Sequence, residues 1–202
     1  MPTVQVTVRE LKDIDPTRFD KEYGEWRVYM PYDDWWEDSY ADFKATCSEL
    51  LIRVDDITFS GFWSQGDGAA FAGRVDLTAF MERSGLEVEY PALYIGVKND
   101  GSYIRVAFRD NNMRCAAYEA YANQTAPDGI FSGLDQETWE KLVDTQDRDA
   151  NLEQRVLKEC ESLAVGLYRS LEKEYDHLTS EESFIESCEI NEVTFVIEGD
   201  EE

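Results

Sequence analysis

Histidine is almost missing from this chain: His177 is the only one in 202 residues. Serine, cysteine and many metal hydrolases lean on imidazole as base or ligand, so any such site would have to recruit that single side chain. Its place near the end of a long helical pattern suits a simpler role, a solvated group favoured by the negative end of a helix dipole. Cysteine is sparse too. Cys47, Cys115, Cys160 and Cys188 are far apart, with no CxxC pair, whereas structural zinc needs clustered N and S ligands. They read as reduced, small hydrophobic residues, and the sequence calls for no cofactor and no metal. Long apolar runs are lacking, and none approaches the ~20 residues that cross a bilayer. The opening MPTVQVTVRE has no basic stretch followed by an apolar one, so no secretory signal is expected and a cytoplasmic location is.

Basic residues are also scarce. Nineteen Lys and Arg stand against 44 Asp and Glu, a net charge of -25. From Asp135 onward 21 acids face six bases, so this third of the chain holds -15 of the total. Such a field repels nucleic acid and anionic lipid and attracts basic surfaces. It argues against direct nucleic-acid binding and against membrane association, and it points to a basic protein partner. Oligomeric state is not indicated.

What is present is enough for a core. Apolar residues make up 43%, with 10 Phe, 11 Tyr and 5 Trp, which suits one packed domain over 1–202. An acidic, disordered tail is expected from about residue 198. Val4, Val6 and Val8 alternate with polar residues, as in a strand. The stretch 13–32 is irregular and aromatic, with Asp15-Pro16 marking a turn or a helix start. Trp36, Tyr40, Phe43, Cys47, Leu50 and Leu51 form one stripe at helical spacing, and Asp34 with Glu37 resembles a capping box. That pattern predicts a capped helix with buried tryptophans; an exposed acidic-aromatic patch is the alternative.

A β-meander should follow. Strands over 57–63 and 69–77 flank the glycine-rich turn Ser64-Gln65-Gly66-Asp67-Gly68. Strands over 90–98 and 103–109 flank Asn99-Asp100-Gly101-Ser102, a strong hairpin signal. Asp110-Asn111-Asn112 turns the chain into a fifth strand over 114–121, and 123–133 is a loop. Beyond it Asp135 caps a long helical region. Leu152, Val156, Cys160, Leu163, Leu167 and Leu171 recur there at helical spacing, and polar 145–151 is a candidate break. Thr179-Ser180-Glu181-Glu182-Ser183 starts another helix running to about Ile190, and 193–197 is a short strand. The fold class is α+β: an antiparallel β-meander of about five strands, plus terminal strands, with helices on one face.

The stretch Ile57 to Gly73, ITFSGFWSQGDGAAFAG, has the most specified composition. Its glycines are spaced like a phosphate loop, but such a loop ends in a lysine, and Asp67-Gly68 stands there instead. No helix should follow, so the dinucleotide fingerprint fails, and Asp67 lacks the alternating acids of a calcium loop. The plain reading is a hairpin whose glycines permit tight turns around packed aromatics. The functional one is a ligand or partner surface at Trp63, Ser64, Gln65 and Asp67, serving a small-molecule binder or hydrolase. Paired carboxylates carry little meaning among 44 acids.

Acids along the carboxyl-terminal helix, Glu153, Glu159, Glu161, Glu172, Glu174 and Asp176, are candidates for an acidic interaction surface. Duplex DNA carries about one charge per ~1.7 Å of axis, and acids on one face of a ~25-residue helix would imitate such a row over ~35–40 Å. The bland alternative is the solvated side of a helix.

The run Phe59-Ser60-Gly61-Phe62-Trp63-Ser64-Gln65-Gly66-Asp67-Gly68-Ala69-Ala70-Phe71, preceded by Trp35-Trp36, resembles a motif of uncharacterised bacteriophage and prophage proteins. Glu174-Tyr175-x-x-Leu178-Thr179-Ser180-x-Glu182 is similar to the carboxyl-terminal part of that group. The resemblance implies a context, a small protein made inside a phage-infected bacterial cell and acting by binding and disabling a host factor. It carries over no catalytic residue. The expected function is a non-enzymatic acidic interaction protein, a nucleic-acid mimic that inhibits a basic host protein engaged in DNA binding or defence.

Overall fold

The computed structural model describes residues 3–30, 34–64, 67–109, 118–119 and 133–198. The fold is α+β with antiparallel sheets. Strand β1 (Thr3–Val6) leads into α1 (Val8–Ile14) and α2 (Pro16–Tyr29). The stretch that looks irregular by pattern is thus mostly helix: Asp15 accepts from the Arg18 N–H as N-cap, and Pro16 takes the first helical position, where its fixed φ fits and no N–H is missed. A true capping box forms at Thr7 and Glu10, whose side chains each accept from the other's backbone N–H.

The expected box at Asp34 does not form. Asp34 has left-handed backbone, φ 69, and its carbonyl, in a turn, accepts from the Glu37 N–H. Helix α3 (Glu37–Glu49) starts only there. It buries Phe43 and Cys47 from the expected stripe, but Leu51 lies past the helix end at φ 55 and is 62% exposed.

Strands β2 (Ile52–Phe59) and β3 (Ala69–Asp76) make the expected hairpin, in a register that pairs Phe59 with Ala69 and Ile52 with Val75 and slips at Asp55. A Cβ at Gly73 would lie 2.2 Å from the Arg53 carbonyl oxygen, so glycine there is what lets β3 pass this irregularity. Asp76 caps α4 (Leu77–Ser84), and α5 (Leu86–Glu89) and α6 (Pro91–Asp100) follow.

Helix α6 corrects the expected strand over 90–98. Ala92, Leu93, Gly96 and Val97 are buried, a helical rather than an alternating set. Pro91 opens the helix, and Gly101, at φ 61, closes it. Asn-Asp-Gly-Ser is here a helix stop, since a left-handed glycine serves a C-terminal cap as well as a hairpin. Strands β4 (Tyr103–Arg109) and β5 (Tyr118–Glu119) complete a four-stranded sheet in the order β2-β3-β4-β5.

Helix α7 (Gln136–Ala150) is capped by Asp135 as expected, and Asn151, at φ 50, separates it from α8 (Leu152–Leu178). Ser180 caps α9 (Glu181–Ile190), and β6 (Phe195–Glu198) pairs with β1, Val6 opposite Phe195. The expected turn at 110–112, most of the strand over 114–121, almost all of the loop over 123–133 and the tail past 198 lie outside the described residues.

The chain divides into two compact units, unit 1 of residues 1–38 with 170–202 and unit 2 of residues 39–169. Unit 1 closes around Val6, Val8, Leu11, Phe19, Phe184 and Phe195, all buried. The Phe184 ring meets Phe19 edge-on at 5.5 Å and Trp26 at 5.3 Å, and Trp35 meets Tyr175 edge-on at 5.6 Å. Unit 2 holds the four-stranded sheet, where Phe43 of α3 packs edge-on against Phe71 of β3 at 5.1 Å. No described helix is long and apolar enough to cross a membrane.

Candidate functional site

The loop between β2 and β3 is tied to itself. The Asp67 carboxylate accepts from the Trp63 N–H at 3.1 Å and the Ser64 N–H at 2.6 Å, and the Asp67 N–H donates back to the Ser64 carbonyl. Gly61, at φ 126, keeps its Cα face against that carboxylate; a Cβ there would stand 2.8 Å from Oδ2. The acid that looked misplaced in a phosphate loop is therefore the clip that shapes the turn, and Ser64 uses its backbone to be held. Phe62 sits among Phe59 at 4.8 Å, Trp63 at 5.6 Å and Tyr168 of α8 at 5.6 Å. Trp63 remains 69% exposed. The structure thus brings Trp63, Ser64 and Asp67 together, while Gln65 lies outside the described residues.

The helical acids do not make one row. Helix α8 turns once in about 3.6 residues. Its buried side carries Leu152, Val156, Cys160, Ala164, Leu167 and Leu171. Glu161, Glu172 and Asp176 fall on the opposite, exposed side, where Lys158 and Arg169 interleave with them. Glu159 is at the flank and accepts from the Arg83 guanidinium of α4. Glu174 is half-buried, and Glu153 is exposed at the first turn.

Charge is concentrated in unit 1, which takes in the last turns of α8. Unit 1 holds 22 acids and six bases in 71 residues, so it carries -16 of the net -25. None of its described carboxylates is buried. Arg9 of α1 grips both oxygens of Glu189 on α9, and that hydrogen bond holds the Glu189 carboxyl below the usual carboxylate range. Thr7 likewise lowers Glu10.

Cys47, Cys160 and Cys188 are buried. Burial, helped by Glu159, pushes the Cys47 thiol up to about 11, and burial with Glu22 and Glu189 raises Cys188. Neither is poised as a nucleophile, which must be a thiolate at neutral pH. Among the described residues no group of three or more His, Cys, Asp and Glu could hold a metal ion.

Two hollows lie outside the residues singled out by sequence. One of about 470 Å³ in unit 2 is lined by Lys44 and Ser48 of α3 with Leu51, Arg53 and Asp76; its Arg53 is paired with Asp55 at 2.9 Å. The other, about 300 Å³ in unit 1, lies where α1 begins and α9 ends. The second is assembled from elements far apart in sequence, so no local motif announces it.

A family model for a domain of unknown function, DUF8835, matches residues 35–181. No curated protein and no solved structure matches the chain. Every residue of the buried cluster that closes unit 1 lies outside the matched span.

Proposed function

The chain belongs to the DUF8835 family, a domain of unknown function, and on that premise we propose that it is a non-enzymatic, anionic docking protein for a basic protein partner. One observation carries this reading: unit 1 holds -16 in 71 residues, with none of its described carboxylates buried. A net excess of that density works against folding, since like charges repel. It does raise encounter rates with a positively charged surface and bias its orientation. The likeness of the Phe59 to Phe71 run to phage proteins extends the proposal to a setting, a phage-infected bacterium in which the partner is a host DNA-binding or defence protein. The nucleic-acid-mimic form of the idea then rests on unit 1 rather than on a row along α8, whose exposed side is mixed in sign.

The test is capture from a bacterial lysate on the immobilised chain with salt-graded elution. A basic protein should be retained at ~50 mM salt, released by ~500 mM, and competed by heparin or duplex DNA, because screening shortens the reach of surface charge to a few ångströms. Retention that is equal at both salt concentrations would sink the electrostatic reading.

A second reading has its own observation. Trp63 is 69% exposed on a turn whose backbone is held by Asp67, and an exposed tryptophan suits an apolar anchor for a ligand or partner. Trp63→Ala in a folded protein should then abolish capture even at low salt, whereas the charge reading leaves capture largely intact.

A further inference from the structure

The hollow in unit 1 has an apolar wall made by Val8 of α1 with Cys188 and Val193 at the end of α9. Val8 and Cys188 are buried, while Val193 is 41% exposed. Glu189 and Glu192 also line it. Its volume of about 300 Å³ is at the small end for ligand sites, the size of a side chain rather than a cofactor.

Glu192 is an unfavourable choice for the fold. Helix α9 ends in a Schellman motif: the Val193 N–H donates to the Cys188 carbonyl at 2.8 Å and the Glu192 N–H to the Glu189 carbonyl at 3.2 Å. The motif puts Glu192 at φ 53, a backbone position that glycine normally fills. A carboxylate there also opposes the negative end of the helix dipole. What the residue does offer is negative charge beside an apolar hollow at a helix end that already favours cations.

The neighbouring carboxylate shows which cation this rim accepts. Glu189 is taken on both oxygens by the Arg9 guanidinium. Glu192 has no such pair among the described residues. We propose that the hollow is a socket for one arginine or lysine side chain of the basic partner, its alkyl stem on Val8, Cys188 and Val193 and its cation at Glu192. The stem would be desolvated against the apolar wall while the charged head stays at the wet rim, as long basic side chains commonly arrange themselves. This inference rests on the docking reading above and adds a point of engagement to it.

Titrating the isotope-labelled full chain with butylguanidinium, and separately with neutral butylurea, tests the socket without the partner. Saturating amide shifts confined to 188–194 and the start of α1 are expected with butylguanidinium and not with butylurea. Glu192→Gln should weaken that binding by about tenfold, the scale of one charge-assisted hydrogen bond. Glu182→Gln removes the same charge from an exposed position of α9 and should change it by less than about twofold. Glu192→Gly is the second variant, since it keeps the Schellman backbone at ease and should still lose binding. Diffuse shifts, equal response to butylurea, or equal weakening by the two glutamine variants would overturn the socket. Salt-sensitive capture of a basic protein alongside a failed titration refutes the socket and leaves the docking reading standing; a sound titration with no basic partner does the reverse.

Discussion

Asp147 shows how one side chain carries a conflict that composition hides. It lies near the end of α7, half-buried, where desolvation raises its carboxyl above the ordinary value and the like charges of Asp144 and Glu153 add to this. A carboxyl whose folded value is raised supports the fold while protonated. That support is complete below the unfolded value, about 3.9, and is lost as pH rises through the folded one. Asp147→Asn should therefore stabilise the protein at pH 7 by about 0.5 kcal/mol or more, the scale of removing an acid from a helix C-terminus. The gain should shrink away below about pH 4, which thermal melts of both proteins across pH 3–8 would show. Asp67 is the opposite case, an acid whose oxygens are used on the backbone of its own loop. The sequence places both acids; only their surroundings decide that one is strained and one is a clip.

At the scale of elements, the helix α6 explains where local pattern reading runs short. Its start at Pro91 has no side-chain cap of its own. The orphan N–H groups of Ala92 and Leu93 both donate to the Gln146 amide oxygen on α7, at 2.9 and 3.0 Å. The cap thus comes from 54 residues away, and the adjoining Gly96 would bring a Cβ within 3.7 Å of Val143 on that same helix. Gln146→Ala should leave two buried donors unpaired and cost about 1–3 kcal/mol. Urea unfolding would read it, and Gln146→Glu, which keeps an acceptor, should recover much of the loss. Helices α3, α7, α8 and α9 and the β2–β3 hairpin were legible because their apolar spacing, caps and glycines are local. The strand expected over 90–98 was a helix because its short apolar run satisfies either period, and packing against α7 settles the choice.

At the scale of the whole molecule, charge is the dominant quantity. A net -25 works against any compact state through self-repulsion, and the described ion pairs of α1, such as Arg9 with Glu189 and Lys12 with Glu181, are surface pairs of small value. Raising NaCl from ~10 to ~300 mM should therefore raise the melting temperature by several degrees, and a melting temperature that falls with salt would show that attractive pairs outweigh the repulsion. The sequence by itself determined the sign and size of that field, the α+β class and the helices α3, α7, α8 and α9, because each depends on composition or on neighbours a few residues apart. Only the tertiary structure decided that 64% of the excess charge gathers in a unit built from both chain ends, that the acids of α8 are interleaved with bases on its exposed side, and that Val8 meets Cys188 and Val193 around a hollow. Those outcomes depend on which distant segments pair, β1 with β6 and α1 with α9. Such pairing is set by the burial of complementary apolar faces over a long loop closure, and no local periodicity encodes it.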